Sequence, residues 1–135
     1  MRIIEALCYR QLNQAGKSIQ LFEKYFEAKE SGKEPFGVGL YDYLHSGVTK
    51  YKAGYFEESR LDFEKQFIAY RELPDTYYYH ALACLELNET VQAKLHLEKA
   101  KVLFLKGYRR VDPYTEVHDQ VYFSDIEKKL KEISP

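Results

Sequence analysis

The sequence predicts an all-α protein in which three helical hairpins stack as a right-handed solenoid, with a C-terminal helical segment capping the last hairpin. Three observations predict this fold. A similar stretch of eight residues occurs three times, as LFEKYFEA at 21–28, DFEKQFIA at 62–69 and HLEKAKVL at 96–103. Small and turn-forming residues recur at fixed distances from these stretches. The length of 135 residues also suits one domain with a core of ordinary size.

The spacing between the copies is that of a repeat unit. Phe63 and Leu97, the large apolar residues that open the pattern in the last two copies, lie 34 residues apart, and Phe22 precedes Phe63 by 41. The additional residues fit the stretch ESGKEPFGVG at 30–39, whose glycines and proline indicate a lengthened loop. A fixed period of this size is typical of proteins in which each unit packs against its neighbours.

Each copy also has a turn position and two positions for small residues. Nine residues before the large apolar group stands a residue that tolerates a positive φ, namely Asn13, Gly54 or Asn88. The small residues, on either side of this turn, are Ala6, Gly47 and Ala81, and Ser18, Ser59 and Ala93. Small side chains let two helix backbones approach closely. Each copy therefore predicts a helix, a tight turn and a second, antiparallel helix.

This pattern resembles the tetratricopeptide repeat, whose unit has small residues on both helices near their crossing, an aromatic residue on the second helix and glycine at the turn. The most similar stretches are YKAGYFEESRLDFEK at 51–65 and LELNETVQAKLHLEKA at 85–100. The resemblance covers about residues 2–106 as three units, with hairpins at 1–31, 38–71 and 75–106. Tyr25 and Gln66 depart from it, because they stand where the family prefers a small residue such as Ala100.

The predicted helices span 2–12, 17–31, 38–53, 56–71, 75–87 and 89–106, and Gly107 is expected to end the last of them. Residues 107–135 break the repeat and are predicted to form the cap that the end of a solenoid needs. In this segment, Asp112-Pro113 can open a short helix. Ser124-x-x-Glu127 is predicted to be a capping box before another helix, whose apolar residues are Ile126, Leu130 and Ile133.

Composition excludes several classes of partner. Twenty basic and twenty-one acidic residues give a formal net charge of −1, so we expect no nucleic-acid partner. The helices mix acidic and basic residues and no apolar run is long enough for a span, so we expect no membrane role. A cytoplasmic location is the expectation, unless an upstream signal has been lost. Cys8 and Cys84 lie far apart and predict two reduced, buried thiols.

The sequence contains no recognisable catalytic constellation. Its four histidines, at positions 45, 80, 96 and 118, share no metal-ligand spacing such as HExxH, and no GxSxG, P-loop or GxGxxG motif occurs. His118 and Asp119 are adjacent, but neighbours on a helix point in different directions. We therefore expect no enzymatic activity, no cofactor and no metal site.

The resemblance implies a binding groove on the concave side, where the first helices of successive hairpins lie and where family members hold an extended peptide or a helix. The candidate lining residues are Tyr41, Leu44, Val48, Tyr51 and Lys52 in the second hairpin, and Tyr78, Leu82, Leu85 and Glu86 in the third. The aliphatic residues follow a spacing that is also typical of a core stripe, so a core role competes with a groove role for Val48, Leu82 and Leu85. Aromatic and amphipathic residues are favoured as contacts.

Two further segments have recognition potential. KGYRRVDPY at 106–114 contains Arg109 and Arg110, which can grip a carboxylate-rich partner, or can form salt links to Asp112 or Glu116. In RELPDTYYYH at 71–80, three consecutive tyrosines point in different directions, so at least one should be exposed. Tyr77 and Tyr79 are expected to pack between the second and third hairpins.

The predicted function is that of a non-catalytic module that binds a protein or peptide partner through Tyr41, Leu44, Tyr51, Lys52, Tyr78, Glu86, Arg109 and Arg110. Two alternatives stay open. The chain can be the C-terminal part of a longer solenoid or a homodimer formed through its first helix, because Ile3, Ile4 and Leu7 need cover. It can also be a small inhibitor or immunity protein that masks a toxin or an enzyme.

Overall fold

The computed structural model describes residues 3–31, 38–110 and 119–133, with the side chain of Ile3 excepted. Within these ranges the chain forms seven α-helices and no strand, so the predicted all-α class is confirmed. The helices are α1 (Ile3–Gln11), α2 (Ala15–Glu30), α3 (Asp42–Lys52), α4 (Phe56–Ala69), α5 (Pro74–Glu86), α6 (Thr90–Leu105) and α7 (Phe123–Ile133).

The three predicted turns are confirmed. Their central residues all have the left-handed backbone: Asn13 (φ 59°), Gly54 (φ 90°) and Asn88 (φ 61°). In each turn the next N–H donates to a carbonyl five residues earlier, as Tyr55 does to Lys50 at 2.9 Å. This arrangement satisfies the last carbonyls of a helix and reverses the chain. Gly107 (φ 93°) ends α6 in the same way, as predicted.

The small residues lie where the two helices of a hairpin cross. All six predicted small positions are buried, and Phe22, Phe63 and Leu97 are completely buried between the helices. A Cβ atom at Gly47 would lie 2.5 Å from Cε1 of Phe63, so the Phe63 ring occupies the space that a side chain at position 47 would need. In the first hairpin, Ser18 Oγ donates to the carbonyl of Ala6 at 2.7 Å.

The core has two apolar clusters. The larger cluster joins the second hairpin, the third hairpin and α7, and its members include Leu44, Val48, Phe63, Leu73, Leu97 and Ile126. The smaller cluster belongs to the first hairpin and consists of Ala6, Leu7, Phe22, Tyr25 and Phe26. The first hairpin is therefore the part of the solenoid with a core of its own.

Polar contacts join the first hairpin to α3, in an interface that we call the polar seam. Arg10 Nη1 donates to the carbonyl of His45 at 2.9 Å. Lys50 Nζ pairs with Glu23 at 3.1 Å. The seam also contains a hydrogen bond from the hydroxyl of Tyr25 to the carboxylate of Asp42 and a ring stack of Phe26 on Tyr43 at 4.7 Å.

The helix α3 begins at Asp42 and not at the predicted position 38. Before it, Gly39 N–H donates to Asp42 Oδ2 at 2.6 Å. Gln66 accepts from the N–H of Leu44 at 3.0 Å and donates to a backbone carbonyl before the helix at 2.7 Å. Tyr25 and Gln66, which depart from the repeat pattern, thus hold the start of α3. The other five predicted repeat helices agree with the structure to within two residues at each end.

The helix α7 covers the end of the solenoid by packing on α6, where Phe104 and Phe123 have ring centroids 6.3 Å apart. The predicted Ser124 cap is wrong, because the helix begins at Phe123. Asp125 instead accepts a hydrogen bond from the N–H of Tyr122 at 2.9 Å. Ile126 is completely buried and Leu130 and Ile133 pack on the larger cluster, as predicted. The predicted short helix at Asp112-Pro113 lies outside the described residues.

The first helix and its thiol differ in part from expectation. Leu7 is 2% exposed and is already covered within the first hairpin, whereas Ile4 is 38% exposed. Cys84 is buried as predicted, but Cys8 is exposed, because the buried face of α1 is formed by Ala6, Leu7 and Arg10. In the described part of the chain, no helix has both the length and the apolar character needed to cross a bilayer.

Candidate functional site

Residues 119–122, here called the crossing segment, contact all three first helices of the hairpins. The Asp119 carboxylate pairs with Arg10 Nη2 of α1 at 2.8 Å and with Lys52 Nζ of α3. The Asp119 carbonyl accepts a hydrogen bond from the Tyr79 hydroxyl of α5 at 2.7 Å. We call the surface formed by α1, α3 and α5 the inner face. One residue of the chain thus bridges the inner face from end to end.

The ion pair between Arg10 and Asp119 is largely withdrawn from water. Arg10 is 4% exposed, and its guanidinium also donates to Thr49 Oγ1 at 3.2 Å. Burial lowers the pKa of Arg10, and the Asp119 charge opposes this effect. Burial alone would raise the pKa of Asp119, but Arg10 and Lys52 together hold it below its usual value. Both partners are therefore charged, and the pair fixes the crossing segment on the inner face.

Asp75, in the first turn of α5, holds the same segment at a second point. Its carboxylate accepts a hydrogen bond from the backbone N–H of Val121 and lies 3.8 Å from Nε of Arg110. Burial raises the pKa of Asp75 to about 6, against the lowering effect of the Arg110 charge. Val121 itself is 3% exposed. The segment is thus bound by charge, backbone hydrogen bonds and an apolar side chain.

Four of the predicted binding residues lie together on the inner face. Tyr51 and Tyr78 both pack against Tyr79, with ring centroids 6.3 and 5.4 Å away. Burial and the nearby charge of Glu86 raise the pKa of Tyr51. Burial, followed by the charge of Asp125, raises the pKa of Tyr78 to about 12. The two tyrosines are half-buried, whereas Lys52 and Glu86 are exposed, so the group presents aromatic surface beside one positive and one negative charge.

The other four predicted residues do not belong to this group. Leu44 is completely buried in the core, so its assignment to the groove is wrong. Arg110 has a side chain only 4% exposed that pairs with Asp75, so it is not a surface grip for a partner. The exposed Arg109 donates to the carbonyl of Phe104 at 2.9 Å and covers the end of α6. Tyr41 packs on Tyr70, at the opposite end of α3 from Tyr51.

The residues for which the sequence left both a core role and a groove role open also divide between the core and the surface. Val48 and Leu82 are buried in the larger core cluster, whereas Leu85 is half-buried. Tyr77 and Tyr79 are each 8% exposed and Tyr78 is the most exposed of the three consecutive tyrosines. The predicted packing of Tyr77 and Tyr79 is thus confirmed. The predicted salt links of the arginine loop to Asp112 or Glu116 lie outside the described residues.

Sequence reasoning missed three residues that build the site, namely Arg10, Asp75 and Asp119. Arg10 and Asp119 are paired across 109 positions, and no local pattern links them. The one available signal was the arginine itself, which lies with Ala6 and Leu7 on the buried side of α1. A charge at a core-facing position requires a partner.

Comparison with known proteins gives the fold. No family model and no curated protein matches the chain. Solved structures that are similar include the following three. PcrH in complex with the chaperone binding region of PopD has 12% identity, a TM-score of 0.73, and coverage of 96% of this chain and 85% of that chain. The type III secretion translocator chaperone SycD of Yersinia enterocolitica has 13% identity, a TM-score of 0.75, and coverage of 97% and 80%.

PcrH from Pseudomonas aeruginosa, in a further structure, has 12% identity, a TM-score of 0.75, and coverage of 98% of this chain and 89% of that chain. The similarity covers 96–98% of this chain and 80–89% of those chains and, at this low identity, is a similarity of backbone. The chain therefore has the tetratricopeptide-like helical-repeat fold of these structures.

Proposed function

We propose that this chain is a non-catalytic module that binds an extended segment of a partner protein on its inner face, through Tyr51, Lys52, Tyr78 and Glu86. The observation that carries the proposal is the crossing segment. The inner face already holds one non-helical stretch of chain, by an ion pair to Asp119 and a buried Val121. A surface with these contacts has the chemistry that recognition of an extended peptide requires.

The partner segment would lie beside the crossing segment. Lys52 Nζ has three donors, so its ammonium can serve a carboxylate of the partner while it keeps Asp119. Tyr51 and Tyr78 offer half-exposed rings, which give contact area with little loss of side-chain freedom because their packing already fixes them. The expected partner segment therefore contains an acidic residue for Lys52 and an apolar residue for the two rings.

The structural neighbours support binding of this kind. PcrH was solved with a segment of PopD, so a scaffold of this shape is able to hold a piece of another protein. At 12% identity the similarity of backbone does not extend to the lining residues, so the residues of the present chain decide the nature of its partner.

Selection of displayed peptides on the immobilised chain tests the proposal. Selected peptides should bind the wild type, and Tyr51→Ala or Tyr78→Ala should weaken binding by about 1 kcal/mol or more, which is roughly fivefold or more. Tyr55→Ala is the matched control, because Tyr55 is 55% exposed at the turn before α4 and makes no part of the inner face. Thermal unfolding of each variant verifies that it is folded.

Two results would refute the proposal. One is that no peptide binds the wild type above background. The other is that the selected peptides bind Tyr51→Ala, Tyr78→Ala and Tyr55→Ala equally well, which would place the binding surface elsewhere.

A further inference from the structure

Three side chains with metal-binding atoms meet between α5 and α6. His80 and Cys84 are four residues apart on α5 and therefore share one face of the helix. His80 and His96 are each eight residues from the turn at Asn88, so the antiparallel hairpin places them opposite each other. One nitrogen of each imidazole and Sγ of Cys84 all lie within 4.8 Å of one another.

His80 is buried with its polar atoms unsatisfied. It is 6% exposed, and neither ring nitrogen has a hydrogen-bond partner among the described residues. A buried polar atom without a partner costs about 1–3 kcal/mol, and native structures contain few of them. Cys84 is 1% exposed at the same place. The unsatisfied nitrogens therefore point to a ligand that they bind.

The two imidazole rings face each other across the hairpin, with ring centroids 4.3 Å apart. A neutral imidazole offers a ring-nitrogen lone pair, which makes histidine the commonest metal ligand. Arg60, on α4, is paired with Glu89 at 3.1 Å, which reduces its repulsion of a bound cation.

We infer that His80, Cys84 and His96 bind a zinc ion that clamps α5 to α6. Two imidazole nitrogens and one thiolate suit Zn²⁺, whereas Mg²⁺ and Ca²⁺ prefer oxygen ligands. In a tetrahedral zinc site neighbouring ligand atoms are about 3.5 Å apart, and here the three ligand atoms lie within 4.8 Å of one another. Side-chain movements of about 1 Å therefore complete the tetrahedral geometry. His96 is the only half-buried member of the three, and a water molecule would supply the fourth ligand.

Binding is coupled to loss of a proton. The Cys84 thiol releases its proton to solvent, and the resulting thiolate forms the bond to Zn²⁺, with no change of oxidation state. The clamp goes beyond the proposed function, because it uses none of the inner-face residues that would contact a partner. It also differs from the expectation from sequence, which was that the chain has no metal site. His80 and Cys84 have helical i, i+4 spacing, but the third ligand is identified only when the hairpin is folded.

Zinc titration of reduced, chelator-treated protein tests the inference. The wild type should bind one Zn²⁺ in competition with a chromophoric chelator, and zinc should raise its Tm. Cys84→Ser should weaken zinc binding by more than about 100-fold, since loss of an outer-shell residue alone costs 10–100-fold. Cys8→Ser, which removes the exposed thiol, is the matched control and should behave like the wild type.

Substitution of Co²⁺ for Zn²⁺ reports the ligands directly. A thiolate-to-cobalt charge-transfer band should appear in the wild type and in Cys8→Ser, and should be absent from Cys84→Ser. X-ray absorption of the zinc form should show nitrogen at about 2.0 Å and sulfur at about 2.3 Å. If Cys84→Ser does not fold, His96→Gln at the half-exposed ligand takes its place. Failure of the wild type to bind zinc, or wild-type zinc affinity in either variant, would overturn the inference.

Discussion

Substitution of Gly47 by alanine tests whether the contact between the Phe63 ring and the backbone of α3 decides the packing of the second hairpin. The new Cβ would lie 2.5 Å from Cε1 and 2.8 Å from Cδ1 of Phe63. Phe63 is completely buried, so its ring can move away only by displacing neighbouring core side chains. Overpacking of this kind costs about 1–3 kcal/mol. In a helix, replacement of glycine by alanine also contributes about 1 kcal/mol of stabilisation, which must be separated from the clash.

Gly16→Ala separates the two effects. Gly16 lies in α2, and a Cβ at this position would meet no atom within 4 Å. This variant should therefore gain up to about 1 kcal/mol from helix propensity alone. The difference in free energy of unfolding between Gly47→Ala and Gly16→Ala isolates the cost of packing, expected to be about 1–3 kcal/mol.

Urea unfolding followed by far-ultraviolet circular dichroism measures both variants. A double variant identifies the atoms responsible. Leu97 occupies the position of Phe63 in the third hairpin, where the small residue is Ala81, so Gly47→Ala combined with Phe63→Leu should relieve the clash. The double variant should be no less stable than Phe63→Leu alone. The reasoning is refuted if Gly47→Ala is as stable as Gly16→Ala, or if the two changes in the double variant are simply additive.

Three other predictions concern polar groups. The pKa of Asp75 is about 6 in the folded chain, against an ordinary value of 3.8, so the folded state binds the proton more tightly than the unfolded state. The free energy of unfolding should therefore rise as the pH falls through about 6, by about 1 kcal/mol between about pH 8 and pH 5. Urea unfolding at these two pH values should show this gain in the wild type and its absence in Asp75→Asn. Gln66→Ala leaves the buried N–H of Leu44 unsatisfied and should lower the free energy of unfolding by about 1–3 kcal/mol. Gln92→Ala, at an exposed residue, is the control and should change it by less than about 0.5 kcal/mol. Asp119→Ala removes the ion-pair partner of the buried Arg10 and should lower the free energy of unfolding by about 3 kcal/mol. The control is Gln120→Ala, at the neighbouring exposed residue. Equal stability of the two variants would show that the crossing segment is not held by charge.

The sequence was sufficient for the fold because the fold depends on local spacing. The turn residues and the small residues repeat at fixed offsets, and each offset has a direct geometric meaning within a single hairpin. The start of α3 could not be predicted in this way. It depends on Gln66 and Tyr25, which bind the backbone and side chain around Asp42 from two other helices.

The site was less predictable, since two surfaces of a helix can share one sequence pattern. Leu44 and Tyr51 follow the same spacing on α3, yet Leu44 is in the core and Tyr51 is half-exposed on the inner face. A small rotation of the helix about its axis would exchange such roles. Arg110 was predicted to be on the surface because it lies in a loop, and no local pattern links it to the buried Asp75 of α5, with which it pairs.

The polar seam joins the first hairpin to the rest of the chain by a different kind of contact from the one that holds the other helices together. Apolar packing holds the second hairpin, the third hairpin and α7 together. The contacts that join α1 and α2 to α3 are mainly ionic and hydrogen-bonded, with one ring stack between Phe26 and Tyr43. Added salt weakens ionic contacts but leaves apolar packing intact or strengthens it. Rising ionic strength should therefore weaken the Lys50–Glu23 pair, whose Glu23 side chain is exposed, more than the contacts of the buried Arg10. Amide exchange should then become faster in α1 and α2 than in α5 and α6. The first hairpin would then open as one unit while the second hairpin, the third hairpin and α7 stay folded. The salt concentration would set the population of this open form.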